Sequence, residues 1–320
     1  MKLDPTLVRL VTANDDLLRA PIDWPKLRAA GKAGLSGVVG ESAVTPVKSV
    51  DDVQIKGKEG DIRMRVYKPL ETPLMTFIHI HGGGWATGDL DNVDHVVRNL
   101  CRELPAIVVS VTYRLAPEHA FPAGYEDALL ATRWVLEHCR EFGGDPATVV
   151  IGGDSAGANL AAAVAIGLRD EAAGNPGSDQ NLPALKGQLL LYPATDLRPS
   201  AMTATSCIAD ADPSLPVKFM DECSLAYLQG ASGEDYRASP ILADLAGLPR
   251  ALVVVLSVDP LRDSGIAYAE RLDAAGVHTE VIEFPHLTHG FAHLINVVPA
   301  AREAFAEVVI RFRRMMVQDS

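Results

Sequence analysis

The sequence predicts an α/β fold in which a mostly parallel central sheet is flanked by helices. From residue 75 onward, short and fully apolar segments alternate with helical ones, which is typical of parallel strands joined by helical crossovers. In residues 50–68, apolar and polar side chains alternate around a turn, which predicts an antiparallel hairpin with one solvated face. Apolar residues make up 48% of the 320 residues, so the chain can bury a substantial core.

The order of the elements follows from the same patterns. Residues 1–45 look like amphipathic helices interrupted at Pro21 and Pro25, and we expect them to form an appendage rather than a layer of the core. Residues 195–232 are predicted to form an insertion between two strands, and residues 173–184 a surface loop. The predicted parallel strands are 75–80, 107–111, 148–151, 187–191, 251–256 and 279–284. The predicted helices are 91–103, 123–141, 156–171, 262–275 and 298–316.

Charge and composition argue against several classes of partner. The formal net charge of −12 argues against nucleic acids and anionic membranes, because both attract basic surfaces. The N-terminus has no basic region followed by an apolar core, and no apolar stretch approaches the roughly 18 residues that span a bilayer. We therefore expect a soluble, cytoplasmic protein that binds neither nucleic acid nor a membrane. The sequence leaves open whether two chains associate as a homodimer.

The cysteines are too far apart to suggest a disulfide framework or a zinc site. They form no C-x-x-C pair, and this spacing predicts reduced thiols, as in a cytosolic protein. The four residues are Cys101, Cys139, Cys207 and Cys223.

The candidate nucleophile is Ser155, the central residue of the Gly-x-Ser-x-Gly segment 153–157. An apolar strand precedes this segment and an Ala-rich helix follows it, so the serine falls on a sharp strand-to-helix turn. Such a turn exposes the hydroxyl at the end of the sheet and directs the N–H of Ala156 toward a forming oxyanion. A glycine-rich loop without chemistry would give the same pattern. A phosphate-binding loop fits less well, since residues 158–159 are not the Lys and Ser or Thr that it needs.

A second motif, His-Gly-Gly-Gly-Trp at 81–85, directly follows an apolar strand. Consecutive glycines let the main chain approach a ligand closely and turn its N–H groups inward, as an oxyanion hole requires. Gly82 is an alternative donor, because the sequence does not fix which amides face inward. A plain tight turn would also explain the glycines, and His81 is expected to fix the loop by hydrogen bonding rather than to react. The expected oxyanion donors are Gly83, Gly84 and Ala156.

The candidate acid and base follow the last two predicted strands. Asp259 leaves the carboxyl end of a parallel strand, at the edge where α/β folds bind their ligands, and is expected to orient the base. Asp263 lies about one helical turn further along and is expected to stabilise the N-terminus of its own helix. His289 follows the last strand and is the candidate base. The order Ser155, Asp259, His289 is that of α/β hydrolases.

Two groups of polar residues were also considered for a metal site or for catalysis, and neither is assigned such a role as a group. His286, His289 and His293 would form a poor metal site, because no carboxylate supports them and a glycine interrupts any continuous helix, so no metal is expected. Arg114 and Glu118 follow a buried strand and are expected to pair with each other and brace the loops under the site.

Taken in order and with their spacing, these motifs resemble the bacterial branch of the hormone-sensitive lipase family, the family IV esterases. The matching segments are 81–84, 113–118, 153–157, 259–263 and 289–291. The resemblance covers the whole chain. It implies an α/β-hydrolase fold, carboxylesterase activity on short- to medium-chain acyl esters, and no cofactor.

The resemblance also implies a helical cap over the active site. We expect residues 1–45 and 195–232 to build this cap, and residues 46–194 and 233–320 to build the catalytic core. The residues expected to line the substrate pocket are Trp85, Phe219 and Met220.

The sequence therefore predicts a serine hydrolase in which Ser155 attacks, His289 takes its proton and Asp259 orients the histidine. A catalytically silent small-molecule receptor on the same fold is the alternative from another class. The complete set of three residues argues against it. An amidase or a lipase would use the same residues. Two positions depart from the family pattern, since Ala158 replaces a usual glycine and Ser264 a usual glutamate.

Overall fold

The computed structural model describes residues 3, 7, 8, 10, 21–39, 44–174, 182–209 and 211–317. The strands are β1 (Ser49–Gly57), β2 (Gly60–Lys68), β3 (Met75–Ile80), β4 (Ala106–Val111), β5 (Val149–Asp154), β6 (Gly187–Leu191), β7 (Arg250–Leu256) and β8 (Thr279–Phe284). The helices are α1 (Trp24–Val39), α2 (Leu90–Glu103), α3 (Ala123–His138), α4 (Ala156–Gly174), α5 (Thr205–Ala209), α6 (Val217–Leu228), α7 (Arg262–Ala274) and α8 (Pro299–Val317).

The strands form one eight-stranded sheet in the order β1-β2-β4-β3-β5-β6-β7-β8. The hairpin of β1 and β2 joins β4 in antiparallel fashion, and the remaining neighbours are parallel. Strands β3 to β6 are buried along their whole length, as their apolar sequences predict. Because parallel strands point the same way, the carboxyl ends of β3, β5, β7 and β8 share one edge of the sheet. The loops that carry the candidate site residues leave from this edge.

Helices cover both faces of the sheet and form two apolar layers with it. Val135 of α3 and Leu160 of α4 belong to one layer, together with Ile78 of β3. Val96 of α2 and Phe305 of α8 belong to the other. Successive side chains of a strand point to opposite faces, so a strand with both faces covered must be apolar throughout. The predicted α/β class is confirmed.

The predicted hairpin and parallel strands are found in the structure, with small shifts at their ends. The largest shift is at β5, which continues to Asp154 although the apolar pattern ends at Ile151. Gly152 and Gly153 continue the pairing opposite Leu189 and Leu190 of β6. A Cβ on Gly153 would lie 2.2 Å from the Ile80 carbonyl oxygen. Glycine is therefore needed inside β5, at a position where the apolar pattern predicts that the strand has already ended.

The insertion folds into a 3₁₀ turn (Pro199–Thr203) and the helices α5 and α6. In the predicted N-terminal helical region the structure contains α1 (Trp24–Val39), while residues 11–20 and 40–43 lie outside the described part of the chain. Residues 175–181 of the predicted surface loop also lie outside it. None of the helices in the described ranges combines the length and apolar character needed to cross a membrane.

Candidate active site

Ser155 lies between β5 and α4 and has a positive φ of 55°. Residues other than glycine rarely adopt this backbone conformation. The turn is held against β3 on both sides of the serine. Its two flanking glycines make close contact with this strand, since a Cβ on Gly157 would lie 2.1 Å from the Ile80 carbonyl oxygen. The predicted strand-to-helix turn is therefore present, and small residues are a steric requirement there.

Gly157→Ala is expected to destabilise the protein by about 1–3 kcal/mol, because the new methyl group must push α4 away from the main chain of β3. The displacement should also reduce any activity that depends on Ser155. Chemical denaturation measures the free energy of unfolding. The matched control is Gly31→Ala in α1, where nothing lies within 4 Å of the new Cβ. That change should be neutral or stabilise by up to about 1 kcal/mol. Equal stability of the two variants would contradict the steric argument.

A continuous chain of hydrogen bonds joins the three candidate residues at the sheet edge. The Nε2 atom of His289 lies 2.8 Å from the Ser155 hydroxyl, and its Nδ1 atom lies 2.7 Å from Oδ2 of Asp259. Asp259 is fully buried, and its Oδ1 accepts a hydrogen bond from the Leu261 N–H at 2.8 Å. With Asp259 accepting from Nδ1–H, the Nε2 atom is free to accept the proton of the serine hydroxyl. The residues that the sequence singled out are thus brought together.

The surroundings of His289 favour its protonated form. Burial opposes protonation, but the adjacent carboxylate of Asp259 outweighs it. With smaller contributions from Asp212 and Asp154, the result is a raised pKa of the imidazole. The ring also packs edge-on against Tyr192, with ring centroids 4.7 Å apart. The site can therefore stabilise the positive charge that forms when His289 takes a proton.

The glycine loop after β3 lies beside Ser155 and carries two candidate oxyanion donors. Gly83 and Gly84 have φ values of 109° and 58°, and no acceptor in the described ranges bonds to their N–H groups. Both residues line the cavity that contains Ser155. Ala156 is the first residue of α4, so its N–H lacks an acceptor within the helix. Gly82 differs, because its N–H donates to Oδ1 of Asp154 at 3.0 Å, and the alternative that Gly82 faces the oxyanion is therefore wrong in this geometry.

Asp154 is a buried carboxylate that the sequence interpretation passed over. Its Oδ2 lies 3.1 Å from Nε2 of His293, so it links the glycine loop to the segment after His289. Burial raises the pKa of Asp154, but the hydrogen bond from His293, the charges of His293 and His79 and the Gly82 N–H together lower it below its usual range. A charged residue at the end of a fully buried strand was the available signal for this role.

His81 is held in the way expected of a loop-fixing residue. Its Nδ1 atom donates to the Gly82 carbonyl at 2.8 Å, and its ring stacks on Tyr113 at 4.4 Å between centroids. Tyr113 donates its hydroxyl to the main-chain oxygen of His81 at 2.9 Å. Burial lowers the pKa of His81, which keeps the ring neutral.

The expected pair between Arg114 and Glu118 is wrong. Arg114 turns back toward α3 and pairs with Asp127 at 2.8 Å and with Glu59 at 2.9 Å. Its main-chain N–H also donates to Asp127, which fixes this direction. Glu118 instead accepts from Arg28 of α1, with a shortest distance of 2.7 Å. The two residues still brace loops, but each does so through a partner distant in the sequence.

A cavity of about 630 Å³ opens above Ser155. The cavity is lined by all three residues that were expected to line the substrate pocket, Trp85, Phe219 and Met220. Trp85 stacks on Tyr227 of α6 with ring centroids 4.7 Å apart. Phe219 packs against Trp24 of α1 at 6.4 Å between centroids. The insertion and the N-terminal helix therefore meet beside this cavity.

The histidines considered for a metal are used differently. His289 and His293 contact separate aspartates, Asp259 and Asp154. In the ranges given above, no three side chains of the His, Cys, Asp or Glu type are arranged to hold a metal ion.

The two departures from the family pattern lie in different environments. Ala158 is fully buried in the first turn of α4. Ser264 lines the cavity, and its carbonyl accepts a hydrogen bond from the Thr195 hydroxyl at 2.7 Å. Only Ser264 therefore bears directly on the space that a substrate could fill.

This sheet topology, with a serine at the turn after β5, an aspartate after β7 and a histidine after β8, defines an α/β hydrolase. A family model described as the alpha/beta hydrolase fold matches residues 77–293. Among curated proteins, the chain is 40% identical over 287 residues to carboxylesterase NlhH of Mycobacterium tuberculosis, a match that covers 85% of this chain and 86% of that one. Esterase LipI of the same organism is 41% identical over 283 residues, with coverage of 84% and 83%.

The solved structures agree with this assignment. The chain superimposes on a hyperthermophilic esterase from the archaeon Pyrobaculum calidifontis with a TM-score of 0.87 and 34% identity, over 98% of this chain and 99% of that one. The chain belongs to the hormone-sensitive-lipase-like family, family IV, of carboxylic ester hydrolases with the α/β-hydrolase fold. The resemblance inferred from the sequence motifs is confirmed.

Proposed function

We propose that the protein is a serine carboxylesterase that hydrolyses short- to medium-chain acyl esters through an acyl-enzyme intermediate. The observation that carries the proposal is the hydrogen-bonded chain from Asp259 through His289 to Ser155, which ends at an open cavity. Carboxylesterase and esterase relatives of similar length support the choice of ester as substrate.

In the proposed first step, the Ser155 oxygen attacks the ester carbonyl while His289 removes the hydroxyl proton. Asp259 keeps Nδ1 of His289 protonated and stabilises the imidazolium that results. The N–H groups of Gly83, Gly84 and Ala156 donate to the tetrahedral oxyanion, each lowering the barrier by roughly 3 kcal/mol. The imidazolium then protonates the departing alcohol, and the acyl group remains on Ser155.

In the second step, water takes the place of the alcohol. His289 removes a proton from this water as it attacks the acyl-serine carbonyl, and the same amides hold the second oxyanion. When this intermediate collapses, His289 returns the proton to the Ser155 oxygen and the carboxylic acid leaves. A single base thus serves both steps, which agrees with its raised pKa and its fixed position between Ser155 and Asp259.

The division into a cap (residues 1–45 and 195–232) and a core (residues 46–194 and 233–320) is part of the proposal. The contact of Phe219 with Trp24 supports a cap assembled from both segments. Ser264 on the cavity wall supports room for medium chains, since a serine fills less of the space than a glutamate would.

We also propose a cytoplasmic location. Cys101, Cys139 and Cys223 are buried free thiols, which is typical of proteins in reducing compartments.

The experiment that tests the proposal is a burst assay with p-nitrophenyl butyrate. A covalent intermediate predicts rapid release of about one p-nitrophenol per protein before steady turnover, provided that deacylation is slower than acylation. Mass spectrometry of quenched protein should then find the butyryl group on the peptide that contains Ser155. An acyl group on any other residue, or turnover without one when deacylation is slowed, would contradict the proposal.

Acyl-chain length should control the rate, because apolar residues of the insertion line the cavity and limit its length. We expect kcat/KM for p-nitrophenyl esters to be highest for short chains and to fall as the chain outgrows the cavity. Phe219→Ala should move the optimum toward longer chains, and Ile310→Ala, at an exposed position of α8, should leave it unchanged. Comparable turnover of emulsified long-chain triglyceride would indicate a lipase instead.

A further inference from the structure

The main chain of His289 is held by the insertion. Its N–H donates to Oδ2 of Asp212 at 2.6 Å, and its carbonyl oxygen lies 2.9 Å from the Ser214 hydroxyl. No other group in the described part of the protein bonds to the N–H or the carbonyl of His289. Both supporting residues lie between α5 and α6, far along the chain from the strand that precedes His289.

Asp212 is placed firmly enough to serve as a support. It is 2% exposed, and its Oδ1 accepts from the Ser214 N–H at 2.8 Å and contacts the Ser214 hydroxyl at 2.6 Å. The residue between them is Pro213, whose ring fixes φ and limits the conformations of the turn. One short turn therefore presents an acceptor for the N–H of His289 and a hydroxyl for its carbonyl.

The same turn borders the cavity. Ser214 and Leu215 line it on the side of the insertion, and His289 lines it from the core. A displacement of this turn would therefore remove both hydrogen bonds to the His289 main chain and change the cavity wall at once.

We propose that Asp212 is a positioning residue that holds His289 on Ser155, so that the insertion contributes to catalysis as well as to covering the cavity. The inference rests on the proposed function of His289 as the base. The imidazole must meet both the Ser155 hydroxyl and the Asp259 carboxylate. A shift of its main chain by an ångström would lengthen one or both bonds, and such a shift can cost about 100-fold in rate.

Asp212 could act through its negative charge or through the position of its hydrogen-bond acceptor, and three variants distinguish these two roles. Burial and the nearby Asp259 raise the pKa of Asp212, so a neutral side chain should be tolerated there. Asp212→Asn removes the charge but keeps one oxygen that can accept from the His289 N–H, while its NH2 group takes the place of Oδ1 and can donate to the Ser214 hydroxyl. Asp212→Glu keeps the charge but moves the acceptor by one methylene group. Asp212→Ala removes both.

The test compares kcat and KM for p-nitrophenyl butyrate, with active sites counted by the burst, together with Tm. We expect Asp212→Ala to lower kcat by about 10–100-fold with little change in KM, as for a base that is present but misplaced. Asp212→Asn should restore most of kcat and exceed Asp212→Glu. The matched control is Asp244→Ala, because exposed Asp244 accepts from the N–H two residues on, as Asp212 does, but contacts no site residue.

A second readout does not depend on ester turnover. The Nδ1 proton of His289, bonded to Asp259, should give a low-field proton NMR resonance in the wild type, in Asp212→Asn and in Asp244→Ala. The resonance should broaden or vanish in Asp212→Ala. Undiminished kcat and an unchanged resonance in Asp212→Ala would overturn the inference. If Asp212→Ala does not fold, higher activity or a sharper resonance in Asp212→Glu than in Asp212→Asn would overturn it. An inactive wild type would overturn the proposed function, while the resonance would still test the positioning of His289.

Discussion

Replacing Ser155 by alanine is expected to lower ester turnover by about 10⁶-fold, because the protein loses the nucleophile and with it the covalent route. Alanine keeps the Cβ and can keep the φ of 55° at the turn. Within the described residues, the Ser155 side chain has one hydrogen bond, to His289 at 2.8 Å. The fold should therefore be unaffected, and Tm should remain close to the wild-type value. Steady-state hydrolysis of p-nitrophenyl butyrate and thermal unfolding measure the two quantities on one preparation.

The control for this variant is Ser49→Ala. The Ser49 hydroxyl bonds to Asp51 on β1, the strand at the antiparallel edge of the sheet. Its loss should change neither turnover nor the burst. If Ser155→Ala retained a tenth of wild-type activity, or still released a burst of p-nitrophenol, Ser155 would not be the nucleophile.

Much of this site could be predicted from the sequence because of one geometric rule. Ser155, Asp259 and His289 each follow an apolar strand, and parallel strands end at one edge of a sheet. Residues that follow apolar segments of strand length could therefore be predicted to lie near one another, even though the order of the strands in the sheet was not known. The same rule placed the glycine loop at this edge, next to Ser155.

The partners of polar groups could not be predicted in this way. Gly82, Gly83 and Gly84 are equivalent in the sequence, and what distinguishes them is the carboxylate of Asp154, which occupies the Gly82 N–H from 72 positions away. Asp212 contacts His289 across 77 positions. Neither pairing leaves a periodic signal, because each depends on how loops pack after the sheet has formed.

Nearness in the sequence was also misleading. Arg114 and Glu118 are close along the chain and opposite in charge, yet Arg114 is directed to Asp127 by its own main-chain hydrogen bond. Glu118 faces Arg28, which also donates to the carbonyls of Ala86 and Ala116. A local pair gains little for exposed charges. Partners that join separate elements are favoured when the fold brings them together.

The two aspartates near the start of α7 should have opposite effects when replaced. Asp259 bonds to Nδ1 of His289 at 2.7 Å, whereas Asp263 accepts from the Ser206 N–H at 2.9 Å and pairs with Arg262 at 2.8 Å. Asp263 therefore fastens α5 of the insertion to the N-terminus of α7.

Asp259→Asn is expected to lower kcat by about 10⁴-fold while Tm stays close to the wild-type value. The asparagine oxygen can still accept from the Leu261 N–H, which Asp259 does at 2.8 Å. Its amide then faces His289 and donates to Nδ1, so that the ring proton moves to Nε2. In this tautomer His289 cannot accept the proton of Ser155.

Asp263→Asn should cost about 0.3–1 kcal/mol of stability, since a negative charge at a helix N-terminus is lost. Its turnover should remain within about tenfold of wild type, because Asp263 does not contact His289. Measuring kcat and Tm for both variants side by side decides the assignment, and a larger catalytic loss in Asp263→Asn than in Asp259→Asn would show that the acid has been misidentified.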